Sequence, residues 1–342
     1  MPADEKVYKL KEFCVYNEAP SEACYGAKPL TVKDLIKGFK IQVTNIERLN
    51  IPDGQVLDED VLEFDMMGVG PPIANAIRRI LIAEVKTMAI DKIHLFNNTT
   101  VIPDEVLTHR IGLIPIKVDP RLFNIKATDD DEGTEEDTLQ FDLKVKCTRT
   151  GASKSDFLPD SKAFNHSKVY SSDLKFVPIG NQKQMYGYIR PVKEDILIAV
   201  MKPGHEIDLR AFCYKNKGRE HAKFSPVVIA SYKLLPELRL HDKITGDDAK
   251  TLAKCFPKGV IEIVKENGQK VAKIANPRLI NCSRNVFLHE ELKDRVEICK
   301  VKDHYLFTVE SAGALSPEEL VTEAINILKE KCQSFLNELK SL

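Results

Sequence analysis

The sequence of 342 residues contains no tryptophan, and no apolar run approaches the roughly 20 residues needed to cross a bilayer. The segment 1–6 lacks the apolar core of a secretory signal and the basic, amphipathic pattern of an organelle leader. The eight cysteines include no C-x-x-C pair. A disulfide framework is therefore not expected, and the composition favours a reducing compartment, the cytosol or the nucleus, without membrane contact.

Metal-binding patterns are missing as well. Cys255, Cys282 and Cys299 are too widely spaced to predict a zinc or iron–sulfur site, which needs several thiolates close together. The acidic run at 129–137 lacks the spacing of a calcium-binding loop and is interpreted as a solvated loop. We predict no metal and no cofactor. A free-standing metal or redox protein that uses the three cysteines remains an alternative hypothesis.

No catalytic motif is recognisable. The segment 68–72, Gly-Val-Gly-Pro-Pro, begins like a dinucleotide-binding glycine pattern, but Ile73 stands where the third glycine belongs. There is no phosphate-binding P-loop, and 289–293 has only the first histidine of a zinc-protease motif. We therefore expect that the chain is not an enzyme. The formal net charge of −1 predicts no global attraction to nucleic acid, so contact with DNA is expected to be indirect.

The apolar pattern predicts a mixed α/β (α+β) fold. Alternation of apolar and polar residues predicts half-buried strands, and short apolar runs predict further strands. These lie at 39–46, 62–66, 139–145, 196–201, 227–235 and 305–310. Proline and glycine predict a turn at 52–54, between the first two strands.

Two helices complete the prediction. The helix at 72–85 is apolar nearly all round, which favours burial on several sides. The second follows Ser316-Pro317-Glu318-Glu319, a capping box with proline at the first helical position. Its apolar stripe is wider than one small domain needs, which favours a seam with a partner over an ordinary core-facing helix.

Several segments, in order, resemble the α-like subunits of cellular RNA polymerases. They are 73–84, 89–91, 98–105, 109–116, 221–226 and 307–313, and their order and spacing agree from about residue 36 to 342. Within that family, the chain is most similar to the larger α-like subunit shared by nuclear RNA polymerases I and III. The polymerase II counterpart usually carries a four-cysteine zinc loop that is missing here, and it stays as an alternative.

The resemblance implies a discontinuous architecture. An N-terminal extension spans 1–35, and a dimerisation domain of strands packed with two long helices comprises 36–90, 227–240 and 300–342. A mainly β domain at 91–226 interrupts it, and 241–299 resembles a remnant of a ferredoxin-like insertion without a cluster.

The resemblance also implies a function. The expected role is a non-catalytic scaffold in polymerases I and III, which supports synthesis of ribosomal RNA precursors and of small RNAs such as 5S rRNA and tRNA. Expected partners are a smaller α-like subunit, the largest and second-largest polymerase subunits, and small adaptor subunits. The expected location is the nucleus, both nucleolus and nucleoplasm.

Two sets of contact residues follow from the resemblance. The heterodimer interface is expected to use apolar side chains of the two helices: Ile73, Ala74, Ile77, Ile80, Leu81, Leu320, Val321, Ala324, Leu328, Phe335 and Leu339. Contact with the large subunits is expected to use polar side chains: Arg78, Arg79, Asn98, Thr99, Asp104, Glu105, His109 and Arg110.

Overall fold

The computed structural model describes residues 7–17, 32–50, 56–126, 133–149, 164–266, 268–281 and 283–341. The helices are α1 (Val32–Gly38), α2 (Pro71–Ala83), α3 (Asp104–Gly112), α4 (Gln182–Tyr186), α5 (Gly246–Cys255), α6 (Glu290–Lys293) and α7 (Pro317–Ser341). None of these helices is both long and apolar enough to span a membrane. The predicted turn at 52–54 and the start of the acidic run lie outside the described residues.

Among the described residues the strands outnumber the helices, and the predicted mixed α+β fold is confirmed. They are β1 (Val7–Leu10), β2 (Val15–Asn17), β3 (Lys40–Asn50), β4 (Val56–Met67), β5 (Lys86–Asn98), β6 (Ile116–Lys117), β7 (Leu139–Lys146), β8 (Thr148–Arg149), β9 (Phe164–Asn165), β10 (Lys168–Tyr170), β11 (Lys175–Val177), β12 (Arg190–Pro191), β13 (Leu197–Val200), β14 (Glu206–Lys217), β15 (Val227–Leu240), β16 (Ile261–Glu266), β17 (Gln269–Ile274) and β18 (Val296–Ser311). Each of the six predicted strands corresponds to one of them.

The chain divides into two compact units. The first comprises Met1–Thr44, Glu63–Ala74 and Tyr232–Phe307, and the second comprises Asn45–Leu62, Asn75–Ser231 and Thr308–Leu342. Helix α7 and most of α2 thus belong to the same unit as the predicted inserted β region. The domain division derived from the resemblance stays a prediction, because compactness within one chain does not identify the surface that a partner covers.

A six-stranded sheet has the order β2-β1-β18-β4-β3, with β15 also paired to β18. Strand β1 runs antiparallel to β18, with Val7 opposite Val301 and Leu10 opposite Ile298. Val7 and Leu10 are buried. The segment 1–35 was predicted to be an extension, and these two strands were not predicted, because strands of three or four residues of mixed character show no clear period.

The predicted half-burial of 39–46 is wrong for the residues whose side chains are described. Phe39, Ile41 and Val43 have exposed fractions of 42%, 43% and 54%, and every residue from 39 to 44 is exposed. Strand β3 ends the strand order, and its apolar and polar side chains from 39 to 44 are exposed alike. Alternation identified the strand, but the period does not reveal whether anything covers its apolar face.

The second unit is built on the antiparallel sheet β11-β7-β14-β5. Strand β7 alternates as predicted, and its inward side chains Leu139, Phe141 and Leu143 are fully buried. Helix α3 contributes Leu107 and Ile111 to the same core. This packing fixes the outer side of α3, with its polar side chains, at the surface.

Candidate assembly surfaces

Helix α7 is the longest helix of the described chain, with 25 residues. Its predicted capping box is confirmed, because Ser316 Oγ accepts from Glu319 N at 3.4 Å and Ser316 N donates to Glu319 Oε2 at 3.3 Å. Leu320 and Ala324 in its first half are fully buried. From 329 to 341, by contrast, every residue is exposed. The second half of α7 therefore presents a free helical surface.

Two ion-pair clusters fix α7 within the second unit. Arg121 Nη2 lies 2.7 Å from Asp119 Oδ2 and 2.9 Å from Glu319 Oε1, and this guanidinium lowers the pKa of both carboxyls. Further along the helix, Lys331 pairs with Glu84, just beyond the end of α2. Its hydrogen bond lowers the pKa of the Glu84 carboxyl. The direction in which α7 projects is thus set near its start and again near its middle.

The predicted heterodimer residues separate into two groups. One group is buried within the chain itself: Ala74, Ile77, Ile80, Leu81, Leu320 and Ala324. The other retains exposed surface, in part or largely: Ile73, Val321, Leu328, Phe335 and Leu339. A buried side chain has no surface to offer a partner. Ile325 and Leu336, which were not in the predicted set, are also exposed on α7.

The predicted large-subunit residues begin with a tightly bonded loop before α3. Asn98 Nδ2 donates to Asp104 Oδ1 at 2.7 Å, and Asn98 Oδ1 accepts from Thr100 Oγ1 at 2.7 Å. Thr99 Oγ1 accepts from Glu206 N at 2.7 Å. These bonds hold the loop in one conformation. The side chain of Asn98 is used within the loop and shapes the surface, and it does not project from that surface.

Two of the predicted arginines are already engaged. Arg110 Nη2 donates to Leu197 O at 2.8 Å and its Nε to Ile198 O at 3.1 Å, which ties α3 to β13. Arg78 donates from Nε and Nη2 to Asn75 Oδ1 within α2. Arg79 is exposed and lines a cavity between α2 and α7. Arg110 is exposed as well, but its guanidinium is tied to the backbone of β13.

A second cavity brings together segments that are far apart in sequence. Asp91 at β5, His109 on α3 and His221 before the 3₁₀ turn Ala222–Phe224 all line it. The two imidazole rings lie 5.8 Å apart at 72°. Lys223 Nζ is 2.5 Å from Asp91 Oδ1. The segments 89–91, 109–116 and 221–226, which carry part of the resemblance, thus each contribute residues to one cavity.

One buried polar cluster was missed by the sequence analysis. Asp65 in β4 is only 5% exposed and accepts hydrogen bonds from Arg278 and Thr44, while His304 Nε2 lies 2.8 Å from its Oδ2. These partners lie on separate segments of the first unit. The alternation of apolar and polar residues in β4 predicts that Asp65 faces solvent. No feature of the neighbouring sequence indicates that other residues cover this face.

The cysteines do not form a cluster among the described residues. Burial raises the pKa of the Cys255 thiol, and it raises that of Cys299 to about 11. Cys282 lies outside the described residues. In the ranges that the structure describes, no group of three or more histidine, cysteine or acidic side chains is placed to hold a metal ion.

Comparison with known proteins matches residues 63–332 to the RNA polymerase Rpb3/Rpb11 dimerisation domain. The DNA-directed RNA polymerases I and III subunit RPAC1 of Mus musculus is 52% identical over 84% of this chain and 83% of the relative. The subunit of the same name in Saccharomyces cerevisiae is 42% identical over 82% of this chain and 85% of the relative.

A more distant relative, the DNA-directed RNA polymerase II subunit rpb3 of Dictyostelium discoideum, is 30% identical over 82% of this chain and 92% of the relative. The matched family domain includes both helices that the sequence analysis singled out, apart from the end of α7. The chain therefore belongs to the RNA polymerase Rpb3/Rpb11 dimerisation-domain family.

Proposed function

We propose that this chain is a non-catalytic structural subunit of nuclear DNA-directed RNA polymerases I and III. The family membership supports a subunit role. The choice of polymerase is supported by relatives named for polymerases I and III, which are 42% and 52% identical, against 30% for one named for polymerase II. In this role the chain supports the synthesis of ribosomal RNA precursors, 5S rRNA and tRNA, in the nucleolus and the nucleoplasm.

The exposed surface of α7 is the observation that carries the proposal of heterodimerisation. Phe335, Leu336 and Leu339 have exposed fractions of 62%, 49% and 51%. With Ile325 and Leu328 they recur at helical spacing, so they share one face. A stripe of large apolar side chains along one helix is typical of a surface that another chain covers.

The expected partner is a smaller α-like subunit that presents its own apolar helix. Burial of apolar surface contributes roughly 25 cal/mol per Å² before the costs of association. Obligate interfaces typically bury about 2,000 Å² or more. Ile73, whose side chain on α2 is 40% exposed, is a further residue that we expect the partner to cover.

Co-purification of the smaller subunit with a tagged full-length chain tests whether the apolar stripe of α7 is the heterodimer interface. Phe335→Asp with Leu339→Asp should abolish recovery, because two charges would be buried in the interface. Gln333→Asp with Asn337→Asp is the matched control, since it places the same charges at the same spacing on the opposite, polar side of α7. Unchanged recovery of the first variant, or equal loss with both, would contradict the seam.

Contact with the two largest subunits and with small adaptor subunits is proposed for the other surface, around the loop 98–105 and α3. Thr99, Asp104, Glu105 and His109 are exposed there. The rigid loop built by Asn98 supports this role, because a preorganised surface loses less entropy on binding. The catalytic centre is assigned to the largest subunit, and DNA contact of this chain is indirect.

Affinity purification with identification of the recovered proteins tests the polymerase assignment. Subunits of both polymerase I and polymerase III are expected. Recovery of polymerase II subunits alone would favour the polymerase II counterpart. Stoichiometric zinc or iron in the purified chain would favour the metal-protein alternative.

A further inference from the structure

The cavity beside α3 is lined by acidic side chains, two histidines and a lysine. Glu105, His109 and Gly112 lie on one side of the helix, because they are spaced by four and three residues. Asp91 and His221 complete the wall. The cavity volume is about 300 Å³, at the small end of the range of roughly 300–1,000 Å³ for ligand pockets. It suits one inserted side chain better than a cofactor.

The charges of this cavity leave one carboxylate unbalanced. Lys223 Nζ lies 2.5 Å from Asp91 Oδ1, and the Lys223 side chain is only 14% exposed. The positive charge of Lys223 therefore offsets the negative charge of Asp91. The exposed carboxylate of Glu105 has no hydrogen bond or ion pair with any residue in the described ranges. The cavity is therefore complementary to a cation.

A hydrogen bond to the backbone fixes the ring of His221. Its Nδ1 accepts from the backbone N–H of Lys223 at 3.1 Å, which holds the imidazole in place beside the cavity. The nearby guanidinium of Arg110 is not available to fill the site, since it donates to backbone carbonyls of β13.

The arrangement of the two imidazole rings favours a planar cation over a compact one. The imidazoles of His109 and His221 stand 5.8 Å apart at 72°, so they offer two differently oriented planar faces. A guanidinium is planar, can stack on a ring and can bind a carboxylate through two N–H groups at once, whereas an ammonium is a compact, strongly hydrated charge. Arginine therefore matches the rings and Glu105 better than lysine does.

Glycine at position 112 permits this arrangement. A Cβ at Gly112 would lie 3.3 Å from Ile90 O and 3.8 Å from Lys223 Cδ. The first distance is tighter than ordinary van der Waals contact. Without a side chain, α3 can lie close to β5 and to the Lys223–Asp91 pair, which keeps Glu105 and the two imidazoles around one cavity.

We infer that this cavity, which we name the α3 pocket (Asp91, Glu105, His109, Gly112, His221, Lys223), receives an arginine side chain of another polymerase subunit. The inference rests on the proposed function, because it assigns a partner's side chain to this surface. It extends that function by naming the chemical group that docks there and the carboxylate that binds it.

Purification of the complex through the tagged full chain tests the inference. Glu105→Gln should lower the retention of at least one other subunit in a salt wash by about tenfold, the effect of losing one charge-assisted hydrogen bond. Glu262→Gln, an exposed glutamate on β16, is the control and should retain every subunit. Equal retention by both variants would overturn the pocket and leave the proposed function standing. Failure of the wild-type chain to recover polymerase subunits would overturn both.

A direct probe distinguishes arginine from lysine. N-acetyl-arginine amide, titrated into the histidine-labelled full chain, should shift the NMR signals of His109 and His221, and Glu105→Gln should remove the shift. N-acetyl-lysine amide should shift them less. No shift with the arginine probe, an equal shift with the lysine probe, or a shift that survives in Glu105→Gln would overturn the inference.

Discussion

Arg278 holds Asp65 in a two-point ion pair, with Nη1 2.8 Å from Oδ2 and Nη2 2.5 Å from Oδ1. The Arg278 hydrogen bonds are the largest influence on this carboxyl, and the contacts with His304 and Thr44 act in the same direction. Together they outweigh the effect of burial and lower the pKa of Asp65 from 3.8 to about 2. The cluster links β4 to the segment 241–299 within the first unit.

Acid should weaken this link over a defined range of pH. A carboxyl whose pKa is lower in the folded state stabilises the fold above its unfolded pKa, and the contribution is lost as the pH falls through the folded pKa. We therefore expect about 2 kcal/mol to be lost between pH about 4 and pH about 2. Hydrogen exchange of the β4 amides, corrected for the pH dependence of the intrinsic rates, would measure this loss of stability.

The variant Asp65→Asn isolates the contribution of this carboxyl. At pH 7 it should destabilise the first unit by about 2–3 kcal/mol, because it leaves Arg278 without its anion. The difference from the wild type should shrink as the pH falls from about 4 to about 2, the interval between the unfolded and the folded pKa of Asp65. Glu63→Gln, an exposed carboxyl on the same strand, is the control and should change stability by less than about 0.5 kcal/mol. A difference that is constant with pH would contradict the assignment.

Strand β4 shows what alternation can and cannot predict. Leu62, Phe64 and Met66 are buried as expected, and Glu63 is exposed as expected. Asp65 has the same parity as Glu63, yet it is buried under Arg278, which is 213 positions away in the chain. A period of two specifies which side chains share a face. It does not specify what covers the face, since that depends on contacts distant in sequence.

Helix α7 shows the same limit for the candidate surface. Its apolar stripe and its capping box were predictable from spacing alone. Leu320 and Phe335 belong to that stripe, yet the first is fully buried and the second is 62% exposed. Helical periodicity is the same in both halves. The difference arises because the second unit packs against the start of α7 and leaves the end free.

Arg121 should hold the start of α7 in place. Arg121→Gln removes the pairs with Asp119 and Glu319, and we expect faster hydrogen exchange in the first turns of α7. The loss should be no more than about 1 kcal/mol, because the Arg121 and Glu319 side chains are 46% and 43% exposed and solvent weakens such pairs. Arg190→Gln, which breaks an exposed pair with Glu194, is the control and should leave α7 unchanged. Equal exchange in both variants would contradict the role of Arg121.

Tyr305 offers a stabilising substitution. Its side chain is 1% exposed, and its hydroxyl has no hydrogen-bond partner in the described part of the chain. Burial raises the pKa of this phenol to about 12. A buried, unpaired hydroxyl costs about 1–3 kcal/mol, so Tyr305→Phe should increase the free energy of unfolding by up to about 1 kcal/mol while keeping the ring contact with Tyr232. A loss of thermal stability in Tyr305→Phe would show that the hydroxyl has a partner.

Gly68 has a structural role that the sequence comparison with nucleotide-binding loops did not predict. Its φ of +76° lies in the left-handed region, and a Cβ there would lie 2.0 Å from Gly38 O and 2.4 Å from Gly38 C. No side chain fits at that distance from backbone atoms. Gly68 N also donates to Asp303 O at 2.9 Å, so the segment before α2 cannot move away without losing this bond.

Gly68→Ala should therefore destabilise the first unit by more than about 2 kcal/mol, since backbone strain and overpacking act together. Gly70→Ala is the matched control two residues later, because its Cβ would meet only Pro72 Cδ at 3.5 Å and its φ is not positive. The control should change stability by less than about 0.5 kcal/mol. Thermal unfolding and hydrogen exchange of β4 measure both variants. Similar effects of the two substitutions would mean that flexibility of the segment 68–72, and not the close approach of Gly68 to Gly38, determines its stability.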